Sequence, residues 1–178
     1  MFIQTQLTTK KCFNCLNRPV LYTQAPLLHD GAVSKAISDF KYNKKIKWGD
    51  FFAYILYRDC KTYIENFDII CPVPLHKSRL RQRGFNQSEE IAITLSKLSG
   101  KPIEHLLIRA DKTHSQKGLG RKDRLLNLKN IFRPKSDANH QNILLLDDVT
   151  TTGSTLYECS KSIKNPGKIG GISVSRRI

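Results

Sequence analysis

Two adjacent carboxylates, Asp147 and Asp148, stand between an apolar run and a stretch rich in hydroxyl groups in the 178-residue chain. The apolar run, residues 143–146, has the length and composition of a buried parallel strand. Ligands of open α/β sheets bind where such strands end. Paired carboxylates at that position can accept hydrogen bonds from a sugar diol or hold a hydrated Mg²⁺ ion. The pair therefore predicts a site for a hydroxyl-rich ligand.

The residues after the acidic pair could bind a phosphate group. Hydroxyl side chains surround one glycine there, in the order Thr150, Thr151, Thr152, Gly153, Ser154 and Thr155. A helix is predicted to begin at this point, so its free amide groups and the positive end of its dipole would face the loop. A lone sequence of this kind more often only starts a helix with a serine or threonine N-cap. Because the acidic pair and the buried strand precede it, we favour a phosphate pocket.

Other phosphate motifs do not match, because the chain has no Gly-Lys-Ser/Thr loop and no fingerprint of three spaced glycines. The combination of strand, acidic pair and threonine-rich loop resembles the phosphoribosyl-diphosphate motif of type I phosphoribosyltransferases. The resemblance implies that Asp147 and Asp148 hold the ribose 2- and 3-hydroxyls and act in catalysis. It also implies that residues 150–155 bind the 5-phosphate and that Mg²⁺ accompanies phosphoribosyl diphosphate.

Alternating strands and helices are predicted to position this site. Strands are expected at residues 20–28, 68–70, 105–110, 142–146 and 169–175, and helices at residues 32–42, 48–64, 86–100 and 154–164. Such alternation indicates an α/β domain with a mainly parallel sheet flanked by helices, like that of type I phosphoribosyltransferases. This domain is expected to cover residues 20–178. Residues 1–19 are predicted to form a short appendage that carries Cys12 and Cys15.

Net charge indicates a polyanionic partner. Thirty Lys and Arg residues against fifteen Asp and Glu give +15, concentrated at residues 41–47, 76–83, 120–124 and 176–177. One cluster alone would most often be a solvated face, but several together favour binding of nucleic acid or of phosphorylated ligands. No apolar run is long enough for a membrane span, no signal peptide is evident, and the five cysteines do not form a disulfide framework. These features predict a cytoplasmic protein.

Three further segments, residues 39–45, 71–87 and 113–132, are similar to the ComF family of competence proteins. This resemblance implies a role in natural transformation and DNA uptake, with single-stranded DNA and proteins of the uptake machinery as partners. Members usually carry an N-terminal zinc module with two Cys-x-x-Cys pairs. This chain has one pair, Cys12 and Cys15, whereas a structural zinc requires four ligands. The pair could bind Zn²⁺ with ligands from elsewhere or form a free dithiol.

The basic residues are assigned to two ligands. Pro72 and Pro74 set a rigid turn, and after it Arg79 and Arg83 would share one helical face while Lys77 and Arg81 share another. One row could serve the pocket and the other the exterior. Residues expected near the diphosphate are His76, Lys77, Arg79 and Arg83. Residues expected to bind nucleic acid are Lys41, Lys44, Lys45, Arg81, Arg121, Lys122 and Arg124. Phe85 is expected to anchor the core rather than to stack on a base.

The polar segment at residues 109–124 resembles in position the mobile loop that covers the active site of type I phosphoribosyltransferases. His114 within it is a weak acid–base candidate. Two functions remain open. The favoured one is a protein that handles single-stranded DNA and carries a phosphoribosyl-diphosphate site. The alternative is a Mg²⁺-dependent phosphoribosyltransferase that acts on a nucleobase or a related acceptor in salvage, although no acceptor pocket is evident.

Overall fold

The computed structural model describes residues 22–43, 45–110 and 131–177. The predicted appendage at residues 1–19 and the predicted lid from residue 111 onwards lie outside the described residues. The described part contains seven strands and five helices. In chain order they are β1 (Thr23–Gln24), β2 (Leu27–Leu28), α1 (Gly31–Tyr42), α2 (Lys47–Ile64), β3 (Ile69–Pro72), α3 (Lys77–Arg83), α4 (Gln87–Ser99), β4 (Leu107–Arg109), β5 (Phe132–Pro134), β6 (Ile143–Thr150), α5 (Ser154–Lys161) and β7 (Ile169–Arg176).

A parallel sheet forms the centre of the domain. Its strands lie in the order β1, β7, β6 and β3, and β2 pairs with β7 further along the same edge. Every pairing within this sheet is parallel, so the carboxyl ends of β3, β6 and β7 meet at one edge. The prediction of an α/β domain with a mainly parallel sheet is therefore confirmed. The site-bearing strand β6 lies between β3 and β7, where both of its edges are paired.

The two faces of the sheet bury separate hydrophobic clusters. Alternate residues of β6 point to opposite faces: Leu144 and Leu146 pack with α1, α2 and α4, whereas Ile143 and Leu145 pack with α5 and the β4–β5 pair. All four side chains are fully buried. This is why the run reads as continuously apolar in the sequence, as a strand covered on both faces must.

Helix α4 follows its predicted signals closely. The side chain of Asn86 caps its start by accepting from the Ser88 amide at 3.2 Å, and Gly100 ends it with φ of 70°. Glu89 and Glu90 in the first turn suit the positive end of the helix dipole. Helix α4 begins at the carboxyl-end edge of the sheet, next to the acidic pair.

The structure differs from the prediction in four elements. Strand β6 continues through Thr150, so the acidic pair lies within the strand rather than after it. Of the strand predicted at residues 20–28, the described part from residue 22 onwards forms two short strands separated by Ala25 and Pro26, because proline cannot donate to the ladder. The strand predicted at residues 105–110 pairs antiparallel with the unpredicted β5, outside the main sheet. Helix α5 ends at Lys161, three residues early.

Within residues 22–43, 45–110 and 131–177, no helix has the length and apolar character that a bilayer span requires.

Candidate functional site

The carboxyl end of β6 and the loop that follows it line one pocket of about 140 Å³. Its walls include Asp147 and all six predicted phosphate-site residues: Thr150, Thr151, Thr152, Gly153, Ser154 and Thr155. Gly153 has φ of 71°, and no atom lies within 4 Å of the position that a Cβ would take, so the left-handed backbone is what requires glycine there. The turn brings the amino end of α5 against the acidic pair, as the sequence predicted.

No side chain caps α5 at Gly153. The Ser154 amide reaches the Thr152 hydroxyl only at 3.4 Å, and the hydroxyls of Thr152 and Ser154 lie 2.7 Å apart. Thr150 is buried at the end of the strand, whereas Thr151, Thr152 and Thr155 are exposed. Amide donors and hydroxyls at the start of a helix form an environment that accepts an anion. The loop thus has the donors that a phosphate group needs.

Asp147 is held in a site that disfavours its charge. Burial, and then the neighbouring Asp148 carboxylate, raise its pKa to about 7. Its Oδ1 accepts from the Asp148 amide at 2.9 Å and, weakly, from the Ser88 hydroxyl at 3.4 Å. Ser88 is buried in the first turn of α4. The carboxyl can therefore exchange a proton near neutral pH.

Asp148 forms an ion pair that the sequence did not predict. Its Oδ2 lies 2.8 Å from the Lys41 Nζ, and 14% and 19% of the two side chains are exposed. Lys41 lies in the last turn of α1 and was assigned to nucleic acid. In the described structure its ammonium group is directed to the acidic pair. Asp148 therefore joins α1 to β6.

The basic segment after β3 forms helix α3, capped by His76, whose Nδ1 accepts from the Ser78 amide at 3.2 Å. Lys77, Arg79 and Arg81 are exposed on this helix. The chain turns back at Gly84, where φ is 85°. Phe85 is buried and packs on Phe40 with ring centroids 5.4 Å apart, so the prediction of a core anchor is confirmed.

Arg83 points into the fold, in contrast to the three exposed cations of α3. Only 9% of its surface is exposed. Its Nη1 donates to Gln87 Oε1 at 2.7 Å, and its guanidinium lies 5.1 Å from the centre of the Tyr42 ring. Arg83 therefore ties α3 to α1 and α4, whereas Arg79, one turn earlier on the same helix, is exposed. Tyr42 directly follows Lys41, so this contact also fixes the end of α1 that reaches Asp148.

Arg109 is a site residue that sequence reasoning did not single out. Burial, and then the positive charge of Arg79, lower its pKa, whereas Asp147 opposes that effect. Its guanidinium lies 5.4 Å from the centre of the Phe132 ring, which holds it at the end of β4. Arg109 thus lies within electrostatic range of both Arg79 on α3 and Asp147. Only the pairing of β4 with β5 reveals this position, because the two strands are separated in sequence by more than twenty residues.

Of the other predicted site residues, the structure describes Lys45 but not the remaining seven. Lys45 is exposed, with its ammonium 2.9 Å from Asp39. Cys12, Cys15, Lys44, His114, Arg121, Lys122 and Arg124 lie outside the described residues. Within the described ranges no three His, Cys, Asp or Glu side chains are grouped to hold a metal ion. Cys60, Cys71 and Cys159 are buried thiols without a disulfide.

The acidic pair fits Mg²⁺ better than a metal that needs a full set of protein ligands. It offers two carboxylates with one paired lysine. Mg²⁺ commonly keeps several waters and takes one or two carboxylates together with the phosphates of its substrate. Asp147 and Asp148 would hold such an ion, which would neutralise the charge of a bound diphosphate.

Sequence comparison finds relatives over most of the chain. Competence protein F of Haemophilus influenzae is 32% identical over 175 residues, which cover 92% of this chain and 76% of that protein. Competence protein ComFC of Bacillus subtilis is 35% identical over 64% of this chain and 45% of its own length. DNA utilization protein YhgH of Escherichia coli K12 is 29% identical over 88% of this chain and 72% of its own length. No protein-family model matches the chain.

Solved structures of phosphoribosyltransferases align with most of the chain at low similarity. A purine phosphoribosyltransferase from Pyrococcus horikoshii aligns with a TM-score of 0.45 and 17% identity, over 74% of this chain and 83% of that one. A hypoxanthine phosphoribosyltransferase from Staphylococcus aureus aligns with a TM-score of 0.41 and 12% identity, over 73% and 72% of the chains. The sequence relatives are the stronger finding. On their extent and identity, this chain belongs to the competence protein F family.

Proposed function

We propose that the pocket at the end of β6 binds phosphoribosyl diphosphate together with Mg²⁺. The observation that carries this proposal is that Asp147 and the whole loop at residues 150–155 line a single pocket. A ligand with a vicinal diol and a phosphate a few ångströms apart matches this arrangement. The diol would donate to the carboxylates of Asp147 and Asp148, and the 5-phosphate would accept from the loop amides and hydroxyls.

The diphosphate end of the ligand would lie towards α3 and β4. Arg109 lies on that side, where the charges of Arg79 and Asp147 both influence its pKa. Two guanidinium groups that repel each other are stabilised when an anion lies between them. His76 and Lys77 at the start of α3 extend this basic surface. Arg83 has no part in it, because it is buried against Gln87 and Tyr42.

We further propose that the protein handles single-stranded DNA during DNA uptake. Its relatives are named for competence and DNA utilization, which supports this role. The charge of +15 far exceeds what one sugar phosphate requires. Exposed Arg81 and Lys45 are the described residues from the predicted set that would contact DNA, and Lys44, Arg121, Lys122 and Arg124 would add to them. Lys41 is excluded from this set because its ion pair with Asp148 leaves only 19% of its side chain exposed, whereas Lys45 beside Asp39 stays 59% exposed.

A second candidate function is phosphoribosyl transfer to a nitrogen of a base-like acceptor. The observation that favours it is that Asp147 lies in the pocket wall beside residues 150–155, where a carboxylate could accept a proton from the acceptor. In that reaction the bond between the anomeric carbon and the diphosphate oxygen breaks, and the acceptor nitrogen forms a bond to that carbon. Arg79 and Arg109 would then stabilise the departing diphosphate.

The experiment is a pair of titrations on one protein preparation. Calorimetry with phosphoribosyl diphosphate and Mg²⁺ is expected to give saturable binding in the wild type and none in the variant that combines Asp147→Asn with Asp148→Asn. Labelled single-stranded DNA is expected to bind both proteins, with an affinity that falls with salt. Retained sugar-phosphate binding in the double variant would reject the pocket. Absence of salt-sensitive DNA binding by the wild type would reject the DNA role.

A further inference from the structure

A basic groove lies outside the proposed sugar-phosphate site. Strand β5 and the carboxyl end of α5 enclose a groove of about 440 Å³, whose walls carry Arg133, Lys161 and Lys164. All three side chains are exposed. None of them belongs to the basic clusters that the sequence pattern singled out. Arg133 lies about thirty residues before Lys161 and Lys164 along the chain, so the three side chains meet only through the fold.

No carboxylate forms an ion pair with the groove cations within the described ranges. Arg133, Lys161 and Lys164 lack such a partner there, and the Lys161 ammonium instead lies 5.4 Å from the centre of the Tyr157 ring. Asp137 is the acidic group near Lys164: hydrogen bonds from the Asn139 amide and the Asn165 side chain lower its pKa, and the charge of Lys164 adds to them. The groove therefore presents a net positive charge to solvent.

A purely structural role accounts for part of this charge. Lysines after the last turn of a helix stabilise its negative end, and Lys161 and Lys164 occupy that position on α5. Arg133 does not, because it lies on β5. Helix stabilisation thus leaves unexplained why a third cation from another element lines the same groove.

The groove is distinct from the sugar-phosphate pocket. Helix α5 begins at the phosphate loop with Ser154 and ends at the groove with Lys161. Eight helical residues span about 12 Å, so one small phosphorylated ligand cannot occupy both places. Phe132 in the groove wall is buried and offers no ring face for a base to stack on. Recognition there would depend on charge rather than on bases.

We infer that this groove binds the phosphate backbone of single-stranded DNA, an inference that rests on the proposed DNA-handling function. Three exposed cations without an ion pair in one groove match consecutive phosphates of a single strand. A second copy of this chain is disfavoured as the occupant, since the chain carries +15 and the groove is itself positive. The groove would extend the DNA contact to the face of the sheet opposite α2 and α4.

The test compares two variants that each lose three positive charges. One replaces Arg133, Lys161 and Lys164 with Gln, and the control makes the same change at Lys35, Lys61 and Lys97 on α1, α2 and α4, which are also exposed and lie outside the basic clusters. The affinity for a labelled single-stranded oligonucleotide is measured from about 50 to 200 mM salt. Loss of three phosphate contacts is expected to lower the slope of log affinity against log salt by about 2, at roughly 0.7 per contact.

The control variant is expected to keep the wild-type slope. An unchanged slope in the groove variant, or an equal fall in both variants, would overturn the inference while leaving the DNA role intact. Wild-type protein that binds no DNA would overturn both. Unfolding temperature and phosphoribosyl-diphosphate affinity are measured for each variant. Both variants lose cations from the last turn of a helix, so a small and similar fall in unfolding temperature is expected. The affinity for phosphoribosyl diphosphate is expected to match the wild type because these side chains are exposed and do not line the pocket.

Discussion

Replacing the two adjacent carboxylates singly should change stability in opposite directions. Asp147→Asn is expected to stabilise the unliganded protein at pH 8, because it removes a charge whose environment disfavours it. Asp148→Asn is expected to destabilise it, because the amide leaves the half-buried Lys41 ammonium without its partner at 2.8 Å. The same substitution at two neighbouring positions therefore tests whether Asp147 and Asp148 have the different environments that the structure shows.

The pKa of Asp147 sets the size of the stability change for Asp147→Asn and the pH range over which that change develops. A rise from 3.8 to about 7 corresponds to at most ~4 kcal/mol of free energy of unfolding. Partial exposure and the two hydrogen bonds to Oδ1 reduce the expected gain for Asp147→Asn to about 1–2 kcal/mol. The folded state binds the proton more tightly than the unfolded state, so this carboxyl lowers stability as pH rises from about 4 to 7. The gain should thus be small at pH 5 and complete at pH 8.

Urea unfolding at pH 5, 6, 7 and 8, without Mg²⁺ or phosphate, measures this difference. Trp48 is the single tryptophan of the chain and stacks on Phe52 in the core, so its fluorescence reports unfolding. Subtracting wild type from variant removes the contributions of the other carboxylates. The reasoning is refuted if Asp147→Asn is no more stable than the wild type at pH 8, or if its advantage does not grow between pH 5 and 8. It is also refuted if Asp148→Asn gains stability to the same extent.

Three further substitutions test other contacts. Arg83→Lys should lower the free energy of unfolding by about 1–2 kcal/mol, since the amine cannot keep the contacts with both Gln87 and Tyr42. Arg81→Lys at the exposed position should leave it unchanged, and equal effects on the urea midpoint would contradict the burial of Arg83. Lys41→Met should leave the salt slope of DNA binding at its wild-type value, and a fall in that slope would return Lys41 to the DNA surface. Gly170→Ala should lower the free energy of unfolding by about 1–3 kcal/mol, because a Cβ there would collide with the Phe67 ring. Thermal unfolding measures this change, and an unchanged midpoint would mean that the ring moves aside.

Local sequence signals predicted the elements that carry the pocket. The apolar run of β6, the capped helix α4 and the glycine at the start of α5 each depend on interactions within a few residues. Periodicity and turn chemistry report such interactions directly. The same kind of signal placed the acidic pair beside the phosphate loop. It did not show that β6 extends through Thr150, because strand pairing with β7 rather than local composition continues the ladder.

Contacts between distant segments were not predictable in the same way. Lys41 and Asp148 are separated by more than one hundred residues, and within the sequence Lys41 is one of several lysines in a basic run. Arg83 alternates with exposed cations on α3, so composition alone gave it the same role as Arg79. Only the packing of α1 and α4 against α3 reveals that it is buried. The groove at Arg133 was missed for the same reason.

The most direct test of the central claim is a crystal structure of the chain with phosphoribosyl diphosphate and Mg²⁺. We expect the ribose hydroxyls to lie within hydrogen-bonding distance of Asp147 and Asp148. We also expect the 5-phosphate at the amides and hydroxyls of residues 152–155, with the diphosphate towards Arg79 and Arg109. Ligand density elsewhere, or an empty pocket at saturating ligand concentration, would contradict the account.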